Sequence, residues 1–317
     1  MRIPFPIPAA GTRPFDVAGF GLNSVDLLTV VAEFPASNSK QRLQRFARLP
    51  GGQIATALVA ASRLGWRARY VGSFGDDEFG WLARESLIEG GVDVSAARTV
   101  VGATNQFAVV IVDARTGERT VLWDRHPGLT MQPEEIPREA VTSGRFLIVD
   151  CQETAGATQA ARYARDAGVP TVIDVEKVRP GIGELLQQID IIIAAQDFPI
   201  ALTGYEDHTR AIEAMAREFG AQLVIATLGE AGSVAWCNGR IIRTPGFQVA
   251  CVDTTGAGDV FRGAFVAACL GEPSGDVENA LEYANAAAAL NCRALGARAA
   301  IPRPDEVERL LAARTHM

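Results

Sequence analysis

The chain has 317 residues, 48% hydrophobic and 21% charged, with a formal net charge of −7. That length buries a sizeable core, the apolar fraction excludes a mainly disordered chain, and the acidic balance argues against nucleic acid as main partner, since phosphate polymers need clustered cations. Among 30 basic residues only Lys40 and Lys177 are lysines and neither follows a glycine, so a Walker-type phosphate loop with its Gly-Lys pair is excluded.

The first sixteen residues carry four prolines and no apolar run suited to a secretory signal. No stretch approaches the roughly 18 apolar residues of a membrane span, so no membrane partner is expected. Five cysteines form no CxxC pair and the histidines number three, which points to free thiols in a reducing cytoplasm rather than to zinc.

In chain order, the apolar runs at 15–21, 67–75, 145–150, 170–175, 189–194 and 222–229 predict strands buried on both faces. Helical periodicity fills 53–65, 154–168 and 209–220, each closing on a glycine. The alternation predicts an α/β fold with a mostly parallel sheet between helices. Two stretches break it: residues 27–48, and residues 104–124 with a turn at Asp113–Gly117, read as antiparallel excursions forming a small β-flap. No linker separates a second domain, and one domain over 1–317 is expected, with a lid from about 27–50 and 103–126.

The segment richest in chemistry is VDTTGAGDVFRGAFVAACLG, 252–271. Gly256, Ala257 and Gly258 open a helix, where unpaired backbone N–H groups and the helix dipole favour an anion. Asp259 sits in the first turn, placed to accept the proton of an attacking hydroxyl.

DTTGAGDVFRGA (253–264) resembles the C-terminal signature of the PfkB family of carbohydrate kinases, also called the ribokinase family. Four further segments follow the same order: GLNSVD (21–26), GGQIATALVAASRLGWRARYVGSFGDDEFG (51–80), TLGEAGSV (227–234) and YANAAAALNCRALGARAAIP (283–302). The resemblance implies a three-layer ribokinase-like sandwich with a β-sheet lid, and ATP-dependent phosphorylation of a sugar hydroxyl. It implies Asp259 as base and 256–258 as anion hole, with Thr227, Gly229, Gly232 and Asn285 at the nucleotide. It sets Asp26, Gly51 and Gly52 at the sugar, with Thr56 where the family usually has Asn, and Lys40, Asn105 and Arg125 as further contacts from the lid. Asp253, Thr255, Asn291, Ala294, Gly296 and Ala300 fall where relatives hold K+, largely through carbonyls. Mg2+ accompanies ATP, but the family's Asn-x-x-Glu is replaced by Ala195 and Phe198, leaving Asp197 or Asp174 as candidates. Related kinases often pair their lids, so a homodimer is expected.

Two alternatives share this fold: a nucleoside kinase, with Trp123 and Phe107 lining a base pocket, and a catalytically silent sugar-binding relative. A nicotinamide-dependent oxidoreductase is disfavoured, because strand-like VDLLTVV follows AGFGLNS where a dinucleotide fingerprint needs a helix.

Overall fold

The computed structural model describes residues 1–116, 118–271 and 276–315. A nine-stranded sheet runs in the order Arg240–Thr244, Ser233–Cys237, Leu223–Thr227, Ile191–Ala195, Thr171–Val175, Phe146–Asp150, Val17–Phe20, Ala68–Val71 and Val92–Asp93. The seven strands from Leu223–Thr227 to Val92–Asp93 pair in parallel, while the other two add antiparallel at one edge.

Period-2 alternation sorts each strand between two cores. Phe146 and Ile148 face the helices Gln53–Arg63, Ala257–Leu270 and Val277–Asn291, whereas Leu147 and Val149 face Thr154–Asp166 and His208–Phe219. Burial on both faces explains why these strands read as unbroken Val/Ile runs. The result is the α/β/α sandwich with its mostly parallel sheet.

A second sheet of four strands forms the lid, in the order Arg45–Gly51, Ser24–Val31, Phe107–Asp113, Arg119–Asp124. Each half is an antiparallel pair, but Ser24–Val31 joins Phe107–Asp113 in parallel, with Asp26 opposite Ala108. Each excursion is thus antiparallel within itself, as expected, and the two are joined by a parallel pair. Of the turn expected at 113–117, Asp113 accepts from the N–H groups of Arg115 and Thr116, while Gly117 lies outside the described residues.

The run at 67–75 is likewise not one strand. It divides at Gly72 into Ala68–Val71 in the large sheet and Ser73–Gly75, which pairs with Arg98–Val100. A side chain at 72 would meet the Tyr70 hydroxyl at 2.3 Å, so only glycine lets the chain turn against its own neighbour. No helix among the described residues is long and apolar enough to cross a membrane.

Candidate active site

Open α/β sheets bind ligands beyond the carboxyl ends of their strands. Here Asp150, Asp174 and Thr227 occupy such ends. Above them the helix Ala257–Leu270 starts from Gly256, whose φ of 75° is left-handed and whose absent Cβ would sit 2.6 Å from the Ala297 carbonyl. Glycine is required there on both counts. The Ala257 N–H closes a turn onto Thr254 O at 3.2 Å, so of the three expected anion-hole donors this one is spent locally. The other N–H groups of the first turn lack an intrahelical acceptor by helix geometry.

Asp259 and Arg262 lie one turn apart on this helix. Arg262 Nη2 is 2.6 Å from Asp174 Oδ1, and both side chains are buried. Burial pushes the Asp259 carboxyl up to about 6, opposed by the charge of Arg262 and reinforced by that of Glu176. Burial raises Asp174 well above the ordinary carboxylate range, again against Arg262. A proton acceptor raised toward neutrality is suited to general-base work. The Asp174–Arg262 pair was not legible as such: Arg262 reads as one cation within an apolar helix.

A cavity of about 430 Å³ opens beside that turn, and Thr227, Gly229, Gly232, Asn285 and Gly258 all line it. The sequence-predicted nucleotide residues are therefore gathered on one wall system with the anion-hole turn. Gly232 has φ 94°, and a Cβ would meet Thr244 O at 2.1 Å, which fixes the loop against the neighbouring strand. Asn285 Nδ2 donates to Ser233 Oγ and Thr244 O at 3.1 and 3.3 Å, anchoring the helix beneath the cavity.

On the acceptor side, Gly51 and Gly52 lead from lid strand to helix. A Cβ at 51 would lie 2.6 Å from Asp26 Oδ2, and Gly52, at φ 92°, passes 2.4 Å from Asn23 Cα by the same measure. Desolvation raises the Asp26 carboxyl to about 6, with Ser24 and the charge of Arg298 opposing. Thr56 is buried at the start of the helix, and its hydroxyl accepts from Arg298 Nε at 3.1 Å.

The lid contacts fare differently. Asn105 is 1% exposed and fully engaged: Oδ1 accepts from Gly75 N–H, and Nδ2 donates to Asn23 Oδ1 and Gln106 O. It joins Asn23 and Tyr70 in a buried network under the site, with both of its amide hydrogens committed within the protein. Arg125 pairs with Glu153, both nearly buried. Lys40 is exposed in the hairpin loop at the end of its strands away from the Ser24–Gly51 pair. Neither cation joins Asp26.

The positions matched to a cation site are stitched together. Asp253 Oδ1 accepts from Thr255 N and Oγ1 at 2.9 and 2.7 Å, and Oδ2 from Gly296 N at 2.8 Å. Asn291 Nδ2 donates to Ala297 O at 3.1 Å, while Asn291 Oδ1 is buried without a partner. Ala294 and Ala300 lie on the same loop. Among the described residues no group of three His, Cys, Asp or Glu side chains gathers to hold a metal. Phe198, where a glutamate was expected, packs into the core at 1% exposure, and Asp197 is exposed.

Residues 15–304 match the family described as pfkB family carbohydrate kinase. An ATP-dependent ribose-1-phosphate kinase of Halopiger xanaduensis is 32% identical over 292 residues, covering 91% of this chain and 95% of that protein. Fructokinase-1 of Zea mays is 30% identical over 319 residues, covering 93% and 97%. The ribokinase of Arabidopsis thaliana complexed with ribose and ATP aligns with a TM-score of 0.82 at 27% identity, covering 94% and 98%. Matches that run nearly end to end, through the lid as well as the helix after Gly256, establish that this chain belongs to the pfkB family of carbohydrate kinases.

Proposed function

We propose that the protein transfers the γ-phosphoryl group of ATP to a sugar hydroxyl, with Asp259 as general base. The observation that carries this reading is the shared turn 256–259: Gly258 lines the 430 Å³ cavity, while Asp259 and Asp26 both act on the charge of Arg298 from the acceptor side. A hydroxyl held between Asp26 and Asp259 faces a phosphoryl group held by the helix N-terminus, and positioning of this kind supplies much of the catalysis. Asp259 takes the hydroxyl proton as the bond to phosphorus forms, and the first-turn N–H groups receive the charge on the transferred group. The fold is read as one catalytic domain, with the lid strands closing over the sugar.

Magnesium enters on the phosphates of ATP. The side chains present do not form a protein cage for it, because Asp174 is spent on Arg262 and Phe198 packs in the core. A monovalent cation fits better: Asn291 Oδ1 is buried without a partner while its Nδ2 donates to the Thr255 and Ala297 carbonyls, and such a cation would brace the turn that carries Gly256. Its occupant is proposed as K+. The relatives named above act on ribose 1-phosphate, fructose and ribose, so the acceptor is sought among pentoses, ketohexoses and their monophosphates. Five free cysteines, four of them buried, suit a reducing cytoplasm.

The test is ATP consumption over that acceptor panel and a nucleoside panel, repeated with Asp259→Asn. Turnover with a sugar is expected, lowered about 10³-fold or more in the variant with ATP affinity retained. Near wild-type turnover by Asp259→Asn would sink the assignment of the base. Preference for a nucleoside, or sugar binding without ATP consumption, would favour the two alternatives in that order.

A further inference from the structure

A charged group that sequence patterns did not single out stands on the acceptor side. Arg298 lies in the loop after the helix Val277–Asn291. Its Nε donates to Thr56 Oγ1 at 3.1 Å, Nη1 to Ser86 Oγ at 2.9 Å, and Nη2 to the carbonyl of Gly51. These acceptors come from the helix Gln53–Arg63, the helix Glu78–Glu89 and the lid strand Arg45–Gly51. The guanidinium plane is thus set by three separate elements.

All three acceptors are neutral, and among the described residues no carboxylate is within ion-pair distance. Asp26 and Asp259 nonetheless both act on the charge, so the group stands in the field of both. Burial depresses its pKa to about 10. An enclosed cation without a contacting counter-charge is costly to keep. Yet the side chain is only partly buried, and a guanidinium has five N–H donors, of which three are accounted for here. Among the described residues the remaining donors have no acceptor to explain the arrangement. Thr56, expected to offer its hydroxyl to the substrate, already accepts from Nε and keeps its O–H to donate.

We infer that Arg298 is a specificity-determining residue, whose unspent N–H groups donate to an acceptor oxygen of the sugar in the space flanked by Asp26 and Asp259. Thr56, Ser86 and the Gly51 carbonyl are its braces. The oxygen is a ring hydroxyl or a phosphate-ester oxygen, chemistries a guanidinium fork serves alike. This rests on the sugar-kinase reading.

The experiment uses the full chain with MgATP and the panel of pentoses, ketohexoses and their monophosphates. For the best acceptor, Arg298→Ala and Arg298→Lys are expected to raise KM about tenfold or more, with KM for ATP changed less than about twofold. Thr56→Val keeps the guanidinium but removes one brace, and gives a smaller rise. A free sugar as best acceptor identifies the oxygen as a hydroxyl; a monophosphate identifies the ester oxygen. An equal rise in KM for ATP, or Arg298→Lys matching wild type on every acceptor, would show a structural brace only and overturn the proposal. If the wild type phosphorylates nothing on the panel, the kinase reading has failed instead. Calorimetric titration of the same sugars into wild type and Arg298→Lys then decides: binding lost in the variant supports the proposal, and equal binding overturns it.

Discussion

Asp26 shows how a single side chain can be costly for the fold and useful for the site. Its carboxyl titrates near 6 in the folded chain against an ordinary value of 3.8, because burial disfavours the charged form. The folded state therefore binds this proton more tightly than the unfolded state. The stabilising effect is complete below about pH 4 and is lost as pH rises through 6. At pH 7.5 the ionised Asp26 costs stability, and a neutral amide of the same shape removes that cost. Asp26→Asn is expected to melt about 2 °C or more above wild type at pH 7.5 without ligands, with the gap closing at pH 5. The same variant is expected to lose sugar affinity. A lower melting temperature at pH 7.5 would show that the carboxylate is compensated after all.

At the scale of elements, the site depends on how closely the two site helices approach each other. Gly263 of Ala257–Leu270 faces Ala57 and Ala60 of Gln53–Arg63, where a Cβ would sit 2.2 Å from the Ala57 carbonyl and 2.9 Å from Ala60 Cβ. This contact sets the distance between the Gly51-Gly52 turn and Asp259. Gly263→Ala forces backbone apart and is expected to cost about 1–3 kcal/mol, read as a fall of several degrees in melting temperature. An unchanged melting temperature would mean that the helices separate freely. Much of this was legible in the chain itself. Strand runs and helix periods are local, so the sandwich and the Gly256–Asp259 turn could be read directly. What was not legible depends on partners far apart in sequence. The parallel pairing of Ser24–Val31 with Phe107–Asp113 has no local signature. Asn105 resembles a ligand contact until its three buried partners are seen. Arg298 is 242 residues from the hydroxyl it holds, and nothing in ALGARAAIP announces that contact.

For the whole molecule, the lid poses an assembly problem. Its sheet is open at both sides, ending in Arg45–Gly51 and Arg119–Asp124. Every residue of the latter strand is exposed, including Val121, Leu122 and Trp123 at 47%, 57% and 54%, and Phe46 on the opposite edge is 54% exposed. Open edges and apolar side chains together invite pairing with another strand, and proteins usually cover them. A second lid is a ready cover, since two copies of the same edge can meet about a twofold axis. The edge strand also leads into Arg125 and begins at Arg119, whose Nη1 lies 3.2 Å from Thr255 Oγ1 beside the anion-hole turn. Pairing the edges would therefore hold the lid where it meets the catalytic turn, linking assembly to activity. Light scattering at tens of micromolar is expected to report a dimer, and Trp123→Lys, which replaces an exposed apolar side chain of the paired edge by a charge, a monomer with weakened sugar binding. A wild-type monomer at those concentrations would overturn lid pairing. A dimer unaffected by Trp123→Lys would move the interface to another face.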